Sequence, residues 1–404
     1  MSWEQVKLND ICISIADGDH QPPPKTDKGI PFVTIANITK SNQFDFSDTM
    51  FVSREYYDSL DCKRKAKKDD ILYSVVGSFG IPVYIKEEVP FVFQRHIAIL
   101  RPNKERIIPQ FLYYTMLSKS FYMQADAVAV GAAQRTVSLT ALRNMEIKIP
   151  KINIQEKIVK ILSAYDDLIE NNQKQIKLLE EAAQRLYKEW FVDLRFPGYE
   201  NTKIVDGVPE GWKKDRADCF FNITIGKTPP RAEKQWFVKG SEGFPWISIS
   251  DMGNAGVFVF HTSEGVTQEA VEKHNMKVVP SGTIFVSFKL TVGRVTIATS
   301  DMCTNEAIAH FYIDKDWKRA YTYCYLNNFE YDTLGNTSSI SKAVNSKIIK
   351  AMPFVMPAEP IILAFSKLVD PILNEIKNKQ AICIKLTEAR DRLLPKLISG
   401  ELEV

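Results

Sequence analysis

The stretch from Pro150 to Phe191, PKINIQEKIVKILSAYDDLIENNQKQIKLLEEAAQRLYKEWF, returns an apolar side chain at helical spacing: Leu162, Tyr165, Ile169, Ile176, Leu179, Ala183, Leu186 and Trp190, with Asn172 on the same stripe. This is a heptad seam, and a helix with one such stripe cannot bury it alone. The seam covers about 28 residues, which at about 1.5 Å each makes a rod of about 40 Å.

The partner stripe stands in the same chain. Placing Pro150 on Pro357, 207 residues further on, without a gap also sets Ile154 on Ile361, Ile169 on Ile376, Gln173 on Gln380, Leu179 on Leu386 and Leu186 on Leu393. Identities at one fixed offset mark an internal duplication, because unrelated helices share composition but not register. Inter-helix packing is therefore expected from Leu162, Tyr165, Ile169, Asn172, Ile176, Leu179 and Leu186 on the first copy. On the second it is expected from Val369, Ile372, Ile376, Leu386, Leu393 and Leu397, with Lys379, Cys383 and Arg390 on the same stripe. Polar Asn172, Lys379 and Arg390 weaken a plain zipper and either fix its register or face a partner protein. Pro371, with Asp370 as its cap, predicts that the second helix is kinked or starts late.

The rest of the chain repeats in order but less in detail. GIPFVTIANIT (Gly29 to Thr39) is echoed by GFPWISISDMGN (Gly243 to Asn254), and DDILYSVVGSFGIPVYI (Asp69 to Ile85) by SGTIFVSFKLTVGRVTIAT, with Ser287 under Ser74 and Gly293 under Gly80. QRHIAILRP is paralleled by NEAIAHFYI, and AQRTVSLTALRNMEIKIP by NTSSISKAVNSKIIKAMPFVMP. These short runs bounded by Pro, Gly and Asn read as strands. Pro109 to Met123 reads as one amphipathic helix, and Ser138 as an N-cap. The fold class is α+β: two mixed α/β domains joined by two long helices that form a coiled coil, with an internal pseudo-twofold repeat. The expected boundaries are 1–150 for the first domain, 151–195 for the central helix, 196–212 for a Pro- and Gly-rich linker, 213–356 for the second domain and 357–404 for the C-terminal helix. Matched rods carrying divergent domains suggest two different recognition tasks.

Catalytic signatures fail one by one. Gly226-Lys227-Thr228 ends like a phosphate-binding loop, but Phe221 stands where the motif needs its first glycine, and Pro229 and Pro230 oppose the helix that would follow. No methyltransferase tetrapeptide occurs, and the five histidines lack metal-ligand spacing. The six cysteines contain no C-x-x-C pair and read as reduced core thiols. A start without a signal pattern, and no apolar run long enough to span a bilayer, point to the cytoplasm and away from membranes. The net charge of +3 neither demands nor excludes nucleic acid.

Binding signals are clearer. The proline-stiffened loop Asp17 to Gly29 carries His20, Gln21, Lys25 and Lys28, and its counterpart Ile225 to Gly240 carries Lys227, Thr228 and Arg231. Matching polar segments add Gln134 and Arg135 in the first half and Ser341 and Lys342 in the second, and Lys289 and Arg294, in the repeated run Ser281 to Thr299, complete the set. Such residues suit DNA, where Gln and Arg read base edges and Lys positions the backbone. Solvated surface loops are the plain alternative, and no metal or catalytic residue is assigned.

The helix entry at Ile149 to Ile158, the linker FPGYENTK…VPEGW (Phe196 to Trp212) and the closing LLPKLISGELEV (Leu393 to Val404) together resemble the specificity subunit of type I restriction-modification systems, over essentially the whole chain. The resemblance implies a non-catalytic protein whose two target-recognition domains each read half of a split double-stranded DNA sequence, with the two helices paired as an antiparallel coiled coil that serves as spacer. It also implies two methyltransferase subunits and restriction/translocase subunits as partners. No cofactor is expected on this chain, with S-adenosylmethionine and ATP on those partners. A rod of about 40 Å is close to one B-DNA turn of about 34–36 Å. The alternative from the residues alone is a structural scaffold whose domains bind protein.

Overall fold

A computed structural model describes residues 3–20, 23–39, 41–132, 134–239, 242–334 and 344–404. Two compact units make up the chain: Met1–Leu168 with Leu386–Val404, and Ile169–Lys385.

In the first unit the strand Glu4–Lys7 pairs antiparallel with Glu146–Ile149, so the domain closes immediately before the first long helix begins. Between these strands lies a four-stranded antiparallel sheet in the order Cys12–Asp17, Ile97–Pro102, Ile71–Ser74, Pro82–Tyr84. Of its two inner strands, Ile71–Ser74 is buried along its whole length because both faces are covered. Ile71 and Tyr73 face a cluster with Phe111, Leu112 and Phe121. Leu72 faces Val33, Phe91 and Phe93, from the neighbourhood of a second sheet made of Met50–Val52, Ile30–Val33 and Val92–Phe93. Two-sided burial is why this strand reads as a continuous apolar run and not as an alternating one.

The single helix expected over Pro109 to Met123 is two, Pro109–Leu117 and Lys119–Val128. Ser118 separates them in extended conformation and its hydroxyl accepts from the Phe121 amide at 3.3 Å, so an N-cap inside an apolar run restarts the helix. Ser138 caps Leu139–Asn144 as expected, accepting from Ala141 N at 3.1 Å.

The second unit repeats the order. Lys213–Arg216 pairs with Pro353–Met356 just ahead of the second long helix. One sheet runs Ile223–Ile225, Ile308–Phe311, Ile284–Ser287, Val295–Ala298, Phe258–Val259, and the other Phe237–Lys239, Glu264–Val266, Phe244–Ile247, Cys303–Thr304. One helix, Lys318–Asn328, stands where the first unit has two.

The long helices are Ile152–Tyr187, 36 residues, and Glu359–Ser399, 41 residues. In the first unit Leu162 is buried with Leu394, Leu397 and Ile398. In the second, the Ile169 carbonyl faces the Cys383 thiol at 3.8 Å and the Trp190 ring meets Phe365 at 5.8 Å. Rising numbers on one helix meet falling numbers on the other, so the pair is antiparallel. Of the expected packing residues, Leu162, Ile169, Asn172, Val369, Ile376 and Leu397 are buried, while Tyr165, Ile176, Leu179, Ile372, Leu386 and Leu393 are half-buried and Leu186 packs at the edge of the core. Leu373 and Leu394 lie deeper than Ile372 and Leu393, a one-residue slip of the kind expected where a 3.6-residue helix carries a 3.5-residue pattern.

Two expectations are overturned here. Pro371 neither starts nor interrupts the second helix, which is continuous from Glu359 to Ser399; Asp370 caps nothing, and its carboxylate accepts from the Ser366 hydroxyl one turn back. Packing of the surrounding turns against the core, where Ile362, Phe365, Val369 and Leu373 are buried, outweighs the missing amide. The cysteines are also not uniformly core thiols: Cys303 and Cys324 are buried, whereas Cys62 and Cys219 are exposed. Among the described residues no His, Cys, Asp or Glu cluster suits a metal, and no helix is long and apolar enough to cross a membrane.

Arg390 resolves one ambiguity about the polar seam. Its guanidinium donates to Asp166 at 2.7 Å, and the other oxygen of Asp166 accepts from the Tyr114 hydroxyl at 2.6 Å. The three groups tie the two long helices to Pro109–Leu117. Lys379 instead pairs along its own helix with Glu375 at 3.1 Å.

Candidate nucleic-acid interface

Both units build the same backbone frame beside their larger sheet. In the first unit the hairpin after Ile71–Ser74 is closed by Ser74 N to Ile81 O (3.0 Å) and Gly80 N to Ser74 O (2.9 Å), with Ile81 N donating to the Ser74 hydroxyl at 2.9 Å. In the second unit the same bonds are Ser287 N to Arg294 O (3.0 Å), Gly293 N to Ser287 O (2.9 Å) and Arg294 N to the Ser287 hydroxyl (3.0 Å). Serine is needed at both positions because its hydroxyl takes an amide donor that the turn leaves without a backbone acceptor.

The glycine loop and the segment crossing it match as well. Gly18 N reaches Ile97 O at 3.1 Å and Asp19 N reaches Phe93 O at 2.9 Å; Gly226 N reaches Ile308 O at 3.2 Å and Lys227 N reaches Thr304 O at 3.0 Å. A Cβ at Gly18 or Gly226 would overlap the carbonyl oxygen of Phe93 or Asn305 respectively, so only glycine permits the approach. Gln94 N to Val33 O and Val75 N to His96 O correspond to Asn305 N to Ile247 O and Phe288 N to Ala307 O. These bonds equate His20 with Thr228, Arg95 with Glu306, and Gly77 with Leu290.

The side chains on this common frame differ. In the first unit His20 Nε2 lies 2.7 Å from Asp17, which Arg64 also approaches at 3.7 Å. Gln134 lies over the hairpin tip beside Gly77, whose amide donates to the Arg135 carbonyl at 2.9 Å. Arg135 pairs with Asp126 and sits over the Phe79 ring at 5.4 Å, and Phe79 stacks on Tyr122 at 5.8 Å. Lys25 and Lys28 are exposed but stand apart from this group, flanking Thr26, whose amide joins the edge strand at Phe51 O.

In the second unit Thr228 donates to the exposed carboxylate of Glu306. Burial acts to raise the Glu306 pKa, but the Thr228 hydroxyl, its own amide and the charges of Lys289 and Arg231 outweigh it and hold the carboxyl below its ordinary value. Arg231 bonds Glu264 at 2.7 Å and covers both Phe237 (4.3 Å) and Trp246 (4.5 Å). Lys227 donates to the His274 carbonyl at 3.2 Å. Thr228 thus bonds this carboxylate and the charges of Lys289 and Arg231 act on it, with Lys227 in the same loop as Thr228 and Arg231. Arg294 is not part of the group: its guanidinium turns inward to the Ile249 carbonyl at 2.6 Å. Gln21, Ser341 and Lys342 lie outside the described residues.

Three residues of the frame escaped the sequence reading. Arg95 and Glu306 are exposed, and Leu290, at the hairpin tip, is 93% exposed with φ +62°, where the first unit has Gly77 at φ +69°. A leucine in the left-handed region costs about 1–2 kcal/mol.

Residues 1–181 and 209–385 each match the family model described as the type I restriction modification DNA specificity domain. The chain is 24% identical to the type I restriction enzyme HindI specificity subunit of Haemophilus influenzae, over 99% of both chains. It is 26% identical to the putative MjaX specificity subunit of Methanocaldococcus jannaschii, over 100% of this chain and 94% of that one. The crystal structure of a type I restriction-modification S subunit from M. genitalium matches with a TM-score of 0.59 and 16% identity, over 98% of this chain and 96% of that one, a likeness of fold.

Proposed function

The chain belongs to the type I restriction-modification DNA specificity family, and from that premise we propose that it binds a bipartite double-stranded DNA target and directs methyltransferase and restriction subunits to it. The observation that carries this reading is the duplicated frame. Two sets of matching backbone hydrogen bonds present different exposed side chains, as two heads reading different half-sequences require. The basic and amide residues of each head fit the division of labour in DNA recognition, where lysines neutralise phosphate and arginine or glutamine reaches base edges.

In this reading residues 1–150 and 213–356 are the target-recognition domains, 196–212 the linker, and 151–195 with 357–404 the spacer. Its exposed faces dock the methyltransferases. Leu168, Leu178, Leu368 and Ile382, all exposed on the long helices, suit such contacts. The role of this chain is non-catalytic; S-adenosylmethionine and ATP belong to the partner subunits. The test is to combine the protein with the methyltransferase encoded beside it, offer random duplex DNA, and map methylated adenines. One split motif is expected. Methylation without any motif, or none at all, refutes the reading in favour of a protein-binding scaffold.

A further inference from the structure

The frame makes a residue-level comparison possible. At the turn after Val92–Phe93, and again after Cys303–Thr304, the chain runs between the glycine loop and the hairpin, held on both sides by the bonds described above. The one side chain that this turn projects to solvent between two anchored neighbours is Arg95 in the first unit and Glu306 in the second. The flanking backbone bonds match and both side chains are exposed, although the Arg95 amide also donates to the Asp19 carbonyl at 2.9 Å; the chemistry of the two side chains is a complete reversal. Arg presents only donors and Glu, ionised, only acceptors.

A glutamate is poorly suited to an interface held by phosphate contacts, because it repels the backbone that Lys289 and Arg231 beside it would attract. An exposed carboxylate under the influence of Lys289 and Arg231 is accounted for if it meets a base edge and not a phosphate. In the major groove guanine offers the acceptors O6 and N7, to which arginine donates in bidentate fashion, and cytosine offers an N4 amino group, which a carboxylate accepts. Thr228, by donating to one Glu306 oxygen, restrains the carboxylate, which stays exposed and has acceptor capacity left for a base.

Resting on the DNA-reading role above, we infer that this position is a specificity determinant in each unit: Arg95 selects a guanine in one half-site and Glu306 a cytosine in the other. Either residue is replaceable without loss of packing, since both are exposed.

The test uses the complex with its methyltransferase subunits and selection from randomised duplexes, followed by affinity measurements across a salt series. Arg95→Ala should relax one base pair in one half-site and weaken the preferred duplex about 5- to 150-fold, and Glu306→Ala should do the same in the other half-site. Salt dependence should not change for either variant. For Arg95→Ala, a uniform loss on all sequences with a shallower salt dependence would identify a phosphate contact and overturn the inference. A uniform gain for Glu306→Ala would identify mere repulsion and overturn it equally, as would unchanged selection by both variants. If the wild-type complex itself selects no motif, the DNA-reading role has failed, and this assignment with it.

Discussion

The Asp166–Arg390–Tyr114 group offers a direct measure of what holds the helix pair in register. Replacing Arg390 with Met keeps most of the stem and removes the charge. Loss of one partner from a fully buried pair costs about 3–5 kcal/mol, whereas an exposed pair is worth about 0–1 kcal/mol. The two side chains here are 24% and 21% exposed, between these limits but nearer the buried one. Tyr114 still donates to Asp166 after the change, so part of the desolvation cost remains offset. Arg390→Met should therefore destabilise the first unit by about 2 kcal/mol, which for a unit of this size lowers its Tm by about 4–8 °C. Asp166→Ala should cost about the same, about 2 kcal/mol, because it strands the Tyr114 hydroxyl while Arg390 keeps its pairing with Asp391 at 2.8 Å. Urea unfolding of both single variants and the double variant completes the cycle, and a coupling of about 1–2 kcal/mol is expected. Coupling under about 0.5 kcal/mol would mean that the pair is incidental and that apolar packing around Leu162 and Leu397 alone sets the register.

Pro371 is exposed inside an unbroken helix, so Pro371→Ala should restore an amide donor to the Lys367 carbonyl and raise stability by about 1–3 kcal/mol, read as a higher Tm of the second unit. A fall in Tm would show that the helix is not regular there. His310 is fully buried between the hydroxyls of Thr224 (2.8 Å) and Thr304 (2.6 Å), and burial pushes its pKa down to about 3. Its neutral form is favoured in the fold, so its stability contribution is complete above the unfolded pKa of about 6.5 and is lost as pH falls from there toward 3. Between pH 7 and pH 5 this amounts to about 2 kcal/mol. His310→Gln should flatten that part of the stability profile, and an unchanged slope would remove His310 as its source.

Much of the architecture was legible because helix pairing leaves a periodic trace and duplication leaves a fixed offset. The pairing of the long helices, the strand order shared by both halves, the Ser138 cap and the matched Ser74 and Ser287 all follow from local pattern, while the antiparallel sense of the pair follows from the family resemblance. The break at Ser118 and the unbroken helix through Pro371 were not legible, since each reverses a local preference through packing with distant residues. The candidate interface was only half visible. Basic loops announce themselves by composition, and aligning QRHIAILRP with NEAIAHFYI already set Arg95 against Glu306. Nothing in that alignment, however, says which side chain of a turn faces solvent. Arg294 shows the converse, a cation in the right segment that the fold spends on the Ile249 carbonyl.

Sequence by itself therefore determined the repeat, the fold class and the family, because periodicity, spacing and motif survive without coordinates. Only the tertiary structure decided which residues share a surface. The frame around Glu306 joins segments near residues 228, 247, 288 and 306, whose proximity arises from sheet order and hydrogen-bond register, long-range quantities that no local stretch of chain encodes.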